Sequence, residues 1–144
     1  MIHSIRKNEV ASAAALAEEL WPGHAPGELC AELEKLLQTG RAAIFLAEEK
    51  GMAIGFAQCQ LRVDYVEGSS SSPVGYLEGI YVQPPFRGRG IARALLLACE
   101  DWAREQGCAE FASDCAIDNT GSRRFHQRTG FAEAGRIVCF IKPL

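Results

Sequence analysis

FRGRGIARALLLA, residues 86–98, is the stretch on which the fold turns. It follows an apolar run, VGYLEGIYV (74–82), that Pro84-Pro85 closes, and it opens a long amphipathic segment. Gly88 and Gly90 let the backbone turn tightly and present successive N–H groups. The helix start behind them adds positive partial charge, and Arg87, Arg89 and Arg93 add formal charge at the same place. Strand, glycine turn and helix together make an anion cradle. It is not the phosphate loop of nucleotide hydrolases, because no Gly-Lys-Ser/Thr follows. Nor does it carry the three-glycine dinucleotide fingerprint of a βαβ unit.

Working outward, the helix is expected from about Gly88 to Gln106, with Ile91, Leu95, Ala98, Cys99 and Trp102 inward and Gly107 as its stop. Upstream, Ile2–Arg6 reads as a strand. Asn8 is placed to cap a helix with Val10, Ala13, Ala14, Ala17, Leu20 and Trp21 at helical period, ended by Pro22-Gly23. A second helix starts near Pro26 and ends before Gly40. Residues 42–64 alternate as a hairpin about Lys50-Gly51, with a phase shift near Gly55 that suggests a bulge. EGSSSSP (67–73) is a polar loop. Downstream, AEFAS reads as a strand, Asp118 as the cap of a helix through Arg128, and FAEAG with RIVCFI as a closing strand pair. The order β-α-α-β-β-β-α-β-α-β-β defines an α/β (α+β) domain over residues 1–144, with a central, mixed, mostly antiparallel sheet flanked by helices.

Composition narrows the function. The chain has 144 residues, 48% hydrophobic and 23% charged, as a single globular domain does. Its net charge of -3 argues against a nucleic-acid partner. Residues 1–86 hold 6 basic and 11 acidic groups; residues 87–144 hold 9 and 7. An acidic front and a basic back suit a cationic and an anionic ligand in one molecule. No apolar run approaches a membrane span and no secretory leader is visible, so a cytoplasmic setting is expected. Cys30, Cys59, Cys99, Cys108, Cys115 and Cys139 lack metal-ligand spacing and are expected as reduced thiols.

Arg87-x-x-Gly90-x-Ala92 after LEGIYV resembles the acetyl-coenzyme A pyrophosphate loop of the GNAT N-acetyltransferase superfamily. Asn119-x-x-Ser122-x-x-x-His126-x-x-x-Gly130-Phe131 resembles its second signature, in which the Asn meets the pantetheine arm. WPGH (21–24), DYVEG (64–68), SSPVGYLEGIYV (71–82) and ASD (112–114) are similar to the short aminoglycoside 6'-N-acetyltransferases. The resemblance implies acetyl-coenzyme A as co-substrate, a polycationic aminoglycoside as acceptor, no metal, and a homodimer. It places the cofactor on the backbone of Ile80, Tyr81 and Val82, on Arg87, Gly88, Arg89, Gly90, Ile91, Ala92 and Arg93, and on Asn119. It places the acceptor on Trp21, Tyr65, Glu78 and Asp114, and His24 in WPGH and Glu67 in DYVEG are further candidates for the acceptor cleft. The family often has an acidic residue just before the Arg of the closing strands; here that position is Gly135, and Glu133 is the nearest substitute.

Physical chemistry agrees with such an acceptor, since polycations are held by carboxylates and aromatic faces. Each residue also has a plainer reading: Trp21 closing a helix end, Tyr65 and Glu67 at a hairpin end, Asp114 in a turn, His24 in a loop. Glu78 resists it, because an unpaired carboxylate in an apolar strand is costly. Glu78 is therefore expected as the base, acting through water with its pKa raised by burial, and Asp114 as an ammonium anchor or relay partner. His126 is expected to protonate the leaving thiolate or else to pack within its helix. Two rivals stay open: acetylation of another small-molecule or peptide primary amine, and a non-catalytic acyl-coenzyme A sensor.

Overall fold

Alternation along residues 42–62 sends successive side chains to opposite faces, and so builds two cores on one sheet. In the computed structural model, which describes residues 1–144, β2 (Ala42–Glu49) pairs antiparallel with β3 (Met52–Arg62). Ile44, Leu46 and Phe56 face α1 (Val10–Leu20) and α2 (Glu28–Gln38). Ala43, Ala47, Ala57 and Cys59 face α3 (Ile91–Glu105), whose Leu95, Leu96 and Cys99 are fully buried. The sheet runs β1-β2-β3-β4-β5, with β1 (Ile2–Ser4), β4 (Val74–Val82) and β5 (Phe111–Ser113). Only β4 and β5 are parallel, so the sheet is mixed and mostly antiparallel. Helix α4 (Thr120–Arg128) follows β5, and its Phe125 packs on the α3 side.

Two bulges break the sheet. Ala47 faces Gly55 and Glu48 faces Ala53, leaving Ile54 as the extra residue, beside the expected place. Gln58 faces Gly79 and Cys59 faces Leu77, so the extra residue of β4 is Glu78. Beyond it, β4 parts from β5: their pairing covers only Gly75–Leu77 against Phe111–Ser113. The β5-facing edge of Glu78–Val82 therefore has no strand beside it.

Three expectations need correction. Asn8 does not cap α1; residues Lys7–Glu9 form a 3-10 turn whose Glu9 carboxylate accepts from the Arg6 N–H at 2.8 Å, because its longer side chain reaches back a full turn. Asp118 does not cap α4; Asn119 Oδ1 does, accepting from Ser122 N–H at 3.1 Å. Most consequentially, FAEAG and RIVCFI form no strand pair. A strand needs a neighbour for its backbone groups, and β5 offers this chain an edge of only three residues. Beyond Gly135 the chain instead leaves the domain as an arm, with Phe140 91% and Ile141 98% exposed.

Candidate active site

The parting of β4 and β5 is where the chemistry-bearing residues gather. Glu78, pushed out of register by the bulge, is not solitary. Arg62, opposite it on β3, donates from Nε and Nη2 to Oε1 at 3.0 and 2.9 Å, and from Nη2 to Oε2 at 3.0 Å. The cost of a lone carboxylate in an apolar strand is offset here by a forked ion pair. Arg62 also lies 3.4 Å over the centroid of the Tyr76 ring. The Tyr76 hydroxyl donates to Asp114 Oδ2. Desolvation, then this bond to Asp114, pushes the Tyr76 phenol well above its usual range, so it remains a donor. Arg62, Glu78, Tyr76 and Asp114 thus form one chain of contacts, with Asp114 exposed at its end.

Trp21 enters from the end of α1. A Cβ on Gly79 would lie 2.5 Å from Trp21 ring atoms, so the indole rests directly on the β4 backbone next to Glu78. It packs edge-to-face on Phe56, with centroids 6.1 Å apart. His24 Nδ1 bonds the Trp21 carbonyl at 2.8 Å, and Glu18 lies 3.6 Å from the same nitrogen. Trp21, His24, Glu32 and Gln58 line a cavity of about 330 Å³ with Leu29, Leu33 and Leu36. Trp21 thus both packs on the core and lines this cavity. Tyr65 and Glu67 sit apart from it, exposed, joined to each other at 3.3 Å.

Gly135 is the position where the resemblance called for an acid. A Cβ there would stand 3.1 Å from Glu67 Oε1, so the missing side chain makes room for the Glu67 carboxylate. Glu133, the substitute suggested by sequence, is engaged by Arg136, and that bond holds its carboxyl below the usual range. Glu67, not Glu133, brings acidity to that spot.

The glycine turn has the geometry of a cradle. Gly88 and Gly90 both have φ +78°, which a side chain rarely adopts. No atom lies within 4 Å of a Cβ built on either, so backbone conformation and open space are what these glycines provide. The first internal hydrogen bond of α3 runs from Ala94 N–H to Gly90 O at 3.1 Å, leaving the N–H groups of Ile91, Ala92 and Arg93 without partners. The three arginines are not equivalent. Arg87 Nε donates to Val82 O at 2.7 Å and ties the turn to β4. Arg89 reaches Glu49 at 3.4 Å, and Arg93 has no internal ion pair. Among the cofactor candidates on β4, Tyr81 turns its hydroxyl to Glu19 at 2.7 Å, whereas Ile80 and Val82 lie on the α3 side. Asn119 spends its carbonyl on the α4 cap and keeps its amide N–H groups.

His126 lies on α4, its ring edge-to-face with Phe125 and Phe131 at 5.8 and 5.0 Å. Nδ1 is 2.7 Å from the Ser122 carbonyl and Nε2 is 2.8 Å from Ser113 Oγ, at the last residue of β5. Sequence reasoning missed Arg62, Tyr76, Gln58 and Ser113. Arg62 had one signal: a cation in the strand just before the one that holds a lone carboxylate. Elsewhere the fold brings His3, Glu9 and Glu48 together, a metal-ligand set that spacing did not suggest. The 3.0 Å His3–Glu9 pair and the turn cap already account for it. No helix is long and apolar enough to cross a membrane.

An open strand edge running into partnerless helix N–H groups is what an acyl-coenzyme A needs, its amide arm beside the strand and its pyrophosphate at the helix. Residues 12–131 match the family described as Acetyltransferase (GNAT) family, and the chain belongs to that family. It is 43% identical over 141 residues to an aminoglycoside N(6')-acetyltransferase type 1 of Salmonella enteritidis, covering 98% of this chain and 97% of that one. A protein of the same name from Stenotrophomonas maltophilia is 43% identical over 145 residues, covering 98% and 94%. Among solved structures, AAC(6')-Iy in complex with the bisubstrate analog CoA-S-monomethyl-acetylneamine superposes with a TM-score of 0.95 at 42% identity, covering 100% of this chain and 98% of that one. AAC(6')-Iy in complex with CoA gives a TM-score of 0.96 at 42% identity, covering 100% and 95%.

Proposed function

We propose that this chain transfers acetyl from acetyl-coenzyme A directly to the 6'-amine of an aminoglycoside, and so confers resistance to it. The observation that carries the reading is the Arg62–Glu78–Tyr76–Asp114 network, set on the bulge where β4 leaves β5 and roofed by Trp21. It puts acidic groups and an aromatic face, the means of holding a polycation, at the end of the cofactor groove. The cofactor lies along Glu78–Val82 with its pyrophosphate on Gly88–Arg93; an N–H of this β4 segment polarises the thioester carbonyl. The amine attacks in its neutral form. The lone pair of Glu78 Oε2 not engaged by Arg62 holds the water that takes up its proton, and Asp114 anchors a second ammonium group. His126 is the source of the proton that the departing thiolate takes up.

We also infer that the domain, residues 1–144, works as a homodimer in the cytoplasm. The exposed apolar arm, with Ile137, Val138, Phe140 and Ile141 in sequence, supports this reading: it has strand chemistry and no partner in its own chain. Its root already borders the acceptor side, where Gly68 meets Ala134 and Glu67 meets Gly135.

The test is thiol release from acetyl-coenzyme A with kanamycin, tobramycin, spermidine and a peptide amine compared. Release with the aminoglycosides alone, lost when a 6'-hydroxyl replaces the amine, is the expected outcome. Release only with another amine keeps the chemistry and discards the acceptor. Tight cofactor binding with no release discards catalysis.

A further inference from the structure

Both nitrogens of His126 are occupied inside the chain. The Ser122 carbonyl can only accept, so Nδ1 carries a hydrogen whether the ring is neutral or charged. Nε2, the other ring nitrogen, faces Ser113 Oγ at 2.8 Å. The imidazole therefore has no N–H free to point at a ligand. The group between it and the parting of β4 and β5 is the Ser113 hydroxyl, at the last paired residue of β5, opposite Leu77.

We propose that Ser113 is the catalytic residue that hands the proton to the departing coenzyme A thiolate, with His126 behind it as the proton's source. A hydroxyl suits this position because it donates and accepts. When the ring is neutral, Ser113 O–H donates to Nε2. When the ring is an imidazolium, Nε2–H donates to Ser113 Oγ, and the hydroxyl hydrogen turns away. Within the chain its alternative acceptor is the Leu77 carbonyl, 3.4 Å off. On acetyl transfer the C–S bond breaks and the sulfur keeps its electron pair. Ser113 gives its hydrogen to that sulfur while Nε2–H passes to Oγ. The thiolate becomes a thiol, Ser113 is restored, and the imidazole is neutral until solvent reprotonates it.

The inference rests on the acetyl-transfer reading above, and the experiment separates the two. Single-turnover acetyl transfer is followed in mixtures of light and heavy water for wild type, Ser113→Ala and Ser113→Thr. A relay moves two protons together, so the wild-type rate should fall along a curve with deuterium fraction. Ser113→Ala should lose roughly 100–10,000-fold in rate, the range of one proton-transfer contribution, and its dependence should become linear. Ser113→Thr, which keeps the hydroxyl, should recover the curve. Nitrogen-15 spectra of His126 should show the Nδ1–H tautomer in the wild type and a mixture in Ser113→Ala. Wild-type turnover with an unchanged rate and inventory in Ser113→Ala overturns the role of Ser113 alone. A wild type that transfers to no amine removes the reading beneath it and the proposal with it.

Discussion

Glu78 illustrates how far a residue can be read before its neighbours are known. An acidic residue within VGYLEGIYV announces a cost that something must offset, and the sequence locates that cost correctly. It does not name the group that offsets it, because Arg62 is 16 residues away and meets Glu78 only through strand register. Tyr76 and Ser113 were hidden for the same reason: one looks like core, the other like a strand end. The pairing sharpens the expected behaviour of variants. Glu78→Gln keeps size and loses charge, so kcat/KM for an aminoglycoside should fall at least tenfold, about 1.4 kcal/mol, with coenzyme A affinity unchanged by calorimetry. Asp114→Asn should raise the aminoglycoside KM more than it lowers kcat. An unchanged KM would remove Asp114 from the acceptor site.

At the scale of elements the sequence was most legible where local chemistry alone decides. The hairpin, β4 from Val74 to Val82, α3 and the glycine turn follow from period, proline and glycine, and each is found within a few residues of its expected limits. Caps were less legible, because Asp118 and Asn119 are adjacent and equally fit to cap, and only the chain path selects Asn119. The glycine turn carries a direct prediction. Gly90→Val forces a branched side chain to φ +78°, a strain of about 1–3 kcal/mol, and fills the open space of the cradle. Acetyl-coenzyme A binding should weaken at least tenfold, measured by calorimetry; wild-type affinity would refute the cradle. The serine loop carries another. Ser71 and Ser70 hydrogen-bond the Glu110 carboxylate and hold it below its ordinary value of 4.5. That contribution is present above about pH 4.5 and lost as pH falls through the lower folded-state value. The melting temperature of Glu110→Gln should therefore decline less steeply than wild type in acid.

For the whole molecule, the arm separates what a sequence can specify from what it cannot. FAEAG and RIVCFI are written as strands, and alternation is a local property. Whether the strand finds its partner in its own chain or in another copy depends on which edge is long enough, and β5 has three residues. Sedimentation of the full chain should give twice the 15.7 kDa monomer mass. Removal of residues 137–144, which takes away the exposed apolar side chains and leaves the root at Ala134 and Gly135 in place, should give monomers. A full chain sedimenting as a monomer would refute the homodimer. The contact between Trp21 and Gly79 has a use beyond the reaction. The chain has two tryptophans, and Trp102 lies on α3, away from this contact. With Trp102→Phe, the remaining indole becomes a fluorophore laid on the cofactor strand itself. Its emission should register ligands arriving from either side, so the order in which the two substrates bind becomes readable by eye of a fluorimeter, without any label.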